Sequence, residues 1–177
     1  MARFEKTAMD AALNNLRQAL IFATRGMSVD DLARRPAEGK WCAAEILEHL
    51  CLTYSGTAKG MGRCLDAGKP LATSPTFKQR MMAAVVIGFG HMPSGRQSPK
   101  AVYPRGMPAP EAVAQMEARM TAMEEAIARC EARYGAGVKL LDHPILGPLT
   151  GREWRKFHCV HGHHHLRQID RLRVART

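Results

Sequence analysis

The sequence predicts an all-α fold: a bundle of four main helices with a long, partly irregular connection between the second and third. Three observations carry this prediction. The composition is 46% hydrophobic, 24% charged and only 6% aromatic, rich in alanine, methionine, leucine, arginine and glutamate, which favours helix over strand. Apolar residues recur at helical spacing in four segments, and no stretch alternates persuasively as a half-buried strand would. Capping residues, glycines and prolines bound those segments. The 177 residues fit one domain spanning 1–177, long enough to bury a substantial core.

The elements follow in chain order. Residues Phe4 to Thr24 carry apolar positions at helical spacing, Ala8, Ala11, Ala12, Leu16, Leu20 and Ile21, and Gly26 stops the helix. Ser28 and Asp31 read as a capping box opening a short helix that Pro36 ends. After Gly39, a long helix runs from about Trp41 to Leu65, up to a turn around Gly68 and Pro70. Residues 67–110 form the long connecting segment, interrupted by Pro70, Pro75, Pro93, Pro99, Pro104, Pro108 and Pro110, with one helix of about three turns over Phe77 to Gly88. Glu111 to Tyr134 is a plain amphipathic helix stopped by Gly135 and Gly137. A short linker containing Asp142, His143, Pro144, Gly147 and Pro148 leads to a second capping box, Thr150 and Glu153, which opens a final helix to about Val174.

The bulk chemistry narrows the function classes. The formal charge is +10, but the basic residues are spread along the chain, with only a mild cluster at Arg167, Arg171, Arg173 and Arg176. No RNA- or DNA-binding signature accompanies them, so nucleic acid is not expected; a solvated surface is, with a basic rim around an anion pocket as the sharper alternative. The cysteines, Cys42, Cys51, Cys64, Cys130 and Cys159, are odd in number and contain no CxxC. That argues against a disulfide scaffold or a thiolate zinc knuckle and for a reducing, cytoplasmic location. The first twenty residues lack the apolar core of a signal peptide, and the longest apolar run, Met81 to Phe89, is too short to span a bilayer; no membrane partner is expected.

The histidines carry the chemistry. Five of the eight fall between Phe157 and Leu166, in a patterned helix. At about 100° per residue, with His161 as zero, His165 lies at about 40° and Gln168 at about −20°. Trp154, Phe157, His158 and Leu172 share that side, His164 flanks it and His163 points nearly opposite, into solvent. His161 and His165 thus stand one turn apart on a largely apolar face, a spacing that lets two imidazoles converge on one metal ion. The best third ligand is His49. Cys42, Glu45, Thr53, Gly56 and Gly60 share its face as a polar, small-residue stripe suited to a pocket wall, and Ile46 and Leu50 beside it belong to the core. Read from spacing alone, the alternative is a set of hydrogen-bonded core histidines, since HxxxH is less specific than the HExxH of zincins.

Three segments together resemble the DinB-like superfamily, which includes the YfiT-like metal-dependent hydrolases. They are Gly39-Lys40-Trp41 with Glu45-Ile46-Leu47-Glu48-His49-Leu50; His143 to Thr150 with Trp154; and His161, His164, His165 and Gln168. The segment from His143 to Thr150 most resembles a branch known only as a domain of unknown function. The resemblance runs from about Gly39 to Leu172, and the central loop adds no motif. It implies a DinB-like four-helix bundle arranged up-down-down-up. It also implies a divalent metal, nickel or zinc, held by three histidines that by position are His49, His161 and His165. His164 and Gln168 accompany them. Relatives of known activity resemble S-transferases and isomerases that use low-molecular-weight thiols.

The expected function is therefore a metal-dependent enzyme that activates water or a low-molecular-weight thiol toward a small-molecule substrate, as a hydrolase or S-transferase. Glu45, one turn before His49, is the candidate general base or orienting residue; its alternative is a polar residue at a helix start. His158 is a spare ligand or a packing residue. Cys42 and Cys159 are soft-ligand candidates expected instead as small buried side chains. Trp41 and Trp154 are expected as packing anchors, and His143-Pro144 as shaping the entrance to the last helix. The competing reading is a non-catalytic metal- or small-ligand-binding module or dimerisation scaffold, with a homodimer as partner.

Overall fold

The computed structural model of the chain describes residues 9–93 and 98–174. Four long helices, α1 (Ala11–Thr24), α3 (Ala43–Asp66), α5 (Ala109–Tyr134) and α6 (Gly151–Val174), form the bundle; two short ones, α2 (Val29–Ala33) and α4 (Phe77–Ala83), lie between α1 and α5. α3 packs most extensively on α5, and α1 on α6. The all-α expectation holds.

The local rules explain most boundaries. α1 begins where the Asp10 carboxylate accepts the Ala12 and Leu13 amides at 3.0 and 3.3 Å, later than the expected start at Phe4. Phe4 to Ala8 lie outside the described residues, as does Arg176. Ser28 and Asp31 form the expected reciprocal box at α2. Cys42 caps α3, so this helix starts just after Trp41. α5 starts at Ala109 with Pro110 in its first turn, where a missing amide costs no hydrogen bond. The Thr150–Glu153 box opens α6, Glu153 accepting the Thr150 amide at 2.7 Å and Thr150 Oγ1 accepting the Glu153 amide at 3.2 Å. The helix expected over Phe77–Gly88 forms, but its last turn, Ala84–Gly88, widens to π, the Phe89 amide reaching the Ala84 carbonyl at 3.0 Å.

One element corrects the sequence reading. The linker before α6, expected to hold no strand, folds as a small antiparallel hairpin, β1 (Leu141–His143) against β2 (Gly147–Leu149), with His143 opposite Gly147. Its turn needs a left-handed residue, which Gly147 supplies at φ 72°. His143 Nδ1 accepts the Ile145 and Leu146 amides at 3.1 and 3.2 Å, and the Trp154 indole N–H reaches the Leu141 carbonyl at 3.3 Å, pinning the hairpin to α6. Three-residue strands, one containing Pro148, are too short to show alternation.

The core runs the length of the bundle. Leu13, Leu16 and Leu20 of α1, Leu50 and Met61 of α3, Met120, Met123 and Ile127 of α5 and Ile169 of α6 are fully buried. The four methionines of α3 and α5, Met61, Met116, Met120 and Met123, are therefore core filling, adaptable in shape and cheap to fit. α1 and α6 approach closely at Gly162, where an added Cβ would meet Leu16 Cδ2 at 2.3 Å. That close approach seats α6 directly against α1.

Candidate metal centre

The amphipathic pattern of α3 buries Ile46, Leu47 and Leu50 and carries His49 inside with them. On α6 the same logic buries Trp154, Phe157, His158, His161 and His165. His163 is exposed and His164 half-buried, as their helical angles require. The two helices thereby bring three imidazoles together. His161 Nε2 lies 3.1 Å from His49 Nε2 and 3.0 Å from His165 Nε2. Among the described residues, His49, His161 and His165 are the histidine, cysteine or acidic group whose ligand atoms all fall within 4.8 Å of one another. All three are buried, at 2%, 9% and 6% exposure.

The protons in this cluster can be assigned from its partners. A carbonyl can only accept, so the 2.7 Å contact between His49 Nδ1 and the Val102 carbonyl puts the proton on Nδ1 and leaves Nε2 as a lone pair. His165 Nδ1 donates to Gln168 Oε1 at 2.8 Å, which frees its Nε2 in the same way. The Gln168 amide, by its other end, donates to His164 Nε2 at 3.2 Å. His161 Nδ1 is buried without a partner among the described residues. A proton on His161 Nε2 could serve only one of its two neighbours, and either tautomer leaves a buried polar atom unsatisfied. One cation facing the three Nε2 atoms satisfies all three lone pairs, so the donor set fits a divalent metal.

Electrostatics keep these rings neutral. Burial is the largest cause in each: it holds His49 below the usual imidazole range, His165 down at about 3 and His161 well below the usual value, the neighbouring imidazoles adding to the effect on the last two. Neutral imidazole is the form that binds metal.

The surroundings separate the sequence candidates. Phe157 stacks on His161 with ring centroids 5.3 Å apart and planes 10° apart. Trp41, expected as a packing anchor, also walls the cluster, 5.1 Å from the His49 ring and 6.4 Å from His165. Trp154 is the buried anchor expected. Glu45 lies in the cap of α3, accepting the Cys42 amide at 3.0 Å and pairing with Arg35. His158 is fully buried but directed at Thr57 Oγ1, 3.1 Å away, and is not part of the converging group. Cys42 and Cys159 also stand outside it.

The residue that sequence reasoning passed over is Glu48. It is 3% exposed, and its carboxylate accepts three backbone amides, from Arg105 at 2.7 Å, Gly106 at 3.1 Å and Met107 at 2.9 Å. It clamps the end of the connecting segment against α3, and that segment supplies the Val102 carbonyl that orients His49. A carboxylate between the core residue Leu47 and His49 was the available signal; its partners, more than fifty residues away in an irregular loop, were not visible.

The model of one family, described as the DinB superfamily, matches residues 12–169. No curated protein and no solved structure matches the chain.

Proposed function

Because the chain belongs to the DinB superfamily, we propose that it is a metal-dependent enzyme in which His49, His161 and His165 hold one divalent cation, nickel or zinc. The single observation that supports this reading most is the convergence of three Nε2 lone pairs whose protons are committed elsewhere or cannot be shared. A divalent ion there would lower the pKa of a bound water or low-molecular-weight thiol and so supply a nucleophile for hydrolysis or S-transfer near neutral pH.

The chain's own residues do the rest. The Val102 carbonyl and Gln168 Oε1 hold the Nδ1 protons of His49 and His165 and fix both ring orientations. Phe157 and Trp41 flank the cluster with apolar surface that excludes water. Five free cysteines, four of them buried, suit work in the reducing cytoplasm.

The test is the metal content of tag-free protein purified without added metal. A near-stoichiometric divalent ion is expected, retained through dialysis, and it would justify assays of thiol transfer and hydrolysis on small electrophilic substrates. Absence of metal even after incubation with nickel or zinc would refute the enzyme reading and leave a helical binding module. A second expectation concerns Glu48. In Glu48→Gln an amide NH2 faces backbone N–H donors, so the clamp on residues 105–107 loosens and the Val102 carbonyl no longer fixes His49. Metal affinity should fall about 10–100-fold, the range typical of lost outer-shell partners. The His49 ring nitrogens should also change from one tautomer to a mixture by nitrogen NMR. An unchanged tautomer and affinity would make Glu48 a merely structural clamp.

A further inference from the structure

The connecting segment, residues 67–110, holds six basic residues, Lys69, Lys78, Arg80, Lys100, Arg105 and Arg96 (the last outside the described residues), and no aspartate or glutamate. It therefore carries +6 of the chain's +10 in a quarter of its length. Charge that looks evenly spread along the sequence is segregated once acids are counted against bases.

The same segment bears the two most exposed large apolar side chains of the described residues, Phe89 and Phe77, with Met81 exposed beside them. Phe77 is 74% exposed, Met81 54% and Phe89 85%. On α4 and its π-turn, at about 100° per residue, Phe77, Met81, Ala84 and Gly88 fall within about 40° of one line, and all four are exposed. Lys78 and Arg80 flank that line on opposite sides, both exposed, and no carboxylate pairs with either among the described residues. The other side of the helix is committed to the core through Val86, Met82, Ala83 and Ile87. The wide π-turn ends at Phe89, whose ring stands almost wholly in solvent.

We propose that this face docks the folded chain on an anionic lipid surface, Phe77, Met81 and Phe89 entering the headgroup boundary and Lys78 and Arg80 lying among acidic headgroups. An apolar line flanked by cations, with no acid on the segment, is the pattern of an element that lies in a membrane interface. No helix among the described residues is long and apolar enough to cross a membrane; the chain would lie on a bilayer, where the sequence led us to expect no membrane partner. A second copy is a poorer occupant, since a twofold pairing of this face sets cation against cation. A partner protein needs a concave wall to receive these side chains, whereas α4 is convex and a bilayer needs no such wall. The proposal is independent of the metal centre.

The full chain should be sedimented with vesicles of phosphatidylcholine alone and of phosphatidylcholine mixed with phosphatidylglycerol. Binding is expected only to the mixed vesicles, and high salt should release it. Phe77→Ser with Phe89→Ser should weaken partitioning by roughly tenfold or more. Lys78→Glu with Arg80→Glu should do likewise, and neither pair should alter the melting temperature, because all four side chains are exposed. Binding that ignores lipid charge, or that survives both pairs, would overturn the proposal. So would a dimer by light scattering that the phenylalanine pair dissociates, with no vesicle binding by the native chain; the face would then be a self-interface.

Discussion

Alanine at His161 is expected to abolish retention of a divalent ion while leaving the bundle folded. His161 is the hub of the cluster, the imidazole whose Nε2 approaches both others, at 3.1 and 3.0 Å. Without it, His49 on α3 and His165 on α6 remain as two ligands on separate helices, and a two-imidazole site falls short of the three protein ligands that metal sites of this type require. The fold should survive because the lost ring carries a buried Nδ1 without a partner among the described residues, whose removal offsets part of the cavity left against Phe157. The decisive reading is linkage. A ligand at a thousand times its dissociation constant stabilises the native state by about 4 kcal/mol, so native protein should melt markedly higher with saturating nickel or zinc and the variant should not. His158→Ala is the control. It removes a fully buried histidine whose Nε2 faces Thr57, so it should lower stability in both conditions yet keep the metal-dependent shift. A His161→Ala protein that still holds stoichiometric metal, or a His158→Ala protein that loses it, would mean the site lies elsewhere.

How far sequence reached depends on the range of each interaction. Helices and caps depend on neighbours within four residues, so the Ser28–Asp31 and Thr150–Glu153 boxes and the glycine stop at Gly135 could be read directly. The convergence of the three histidines was legible because His161 and His165 share one helix at i, i+4 and His49 occupies a buried face of another. What sequence could not supply was the partner of each side chain. Glu45 and Glu48 sit three residues apart on one helix. The first is engaged by its own cap and Arg35, the other by loop amides at Arg105 to Met107, and only tertiary structure distinguishes them. The hairpin before α6 was missed for a related reason: what holds it is the His143 ring and the Trp154 indole rather than strand length. The segregation of charge in residues 67–110 was in the sequence throughout, but its meaning needed the exposures of Phe77 and Phe89 beside it.

The other large effect belongs to Arg155, which ties α6 to α5. Its Nε lies 2.9 Å from each oxygen of Glu124, and its Nη1 is 2.6 Å from Glu131 Oε2. The three side chains are only 15%, 8% and 18% exposed. Arg155→Met keeps much of the apolar stem but strands two carboxylates in a site with little water. Breaking such a buried group by removing one partner costs about 3–5 kcal/mol, a large part of the roughly 5–15 kcal/mol that holds a domain together. Urea unfolding at neutral pH should show that loss. The pH dependence gives the cause. Burial already raises the Glu124 carboxyl above its ordinary value, against the lowering effect of Arg155, so removing the arginine raises it further. A group whose folded pKa exceeds its unfolded value binds more protons in the folded state. Its contribution is therefore present at acid pH and lost as pH rises through the folded value. The deficit of Arg155→Met relative to the native chain should accordingly shrink as pH falls into the carboxyl range. Replacing all three residues, as Arg155→Met with Glu124→Leu and Glu131→Leu, removes the stranded charges and should recover most of the loss at neutral pH. A single variant within about 1 kcal/mol of native, as for an ordinary exposed pair, would show that this triad is a surface feature and that α6 is held by its apolar face and its close packing on α1 at Gly162.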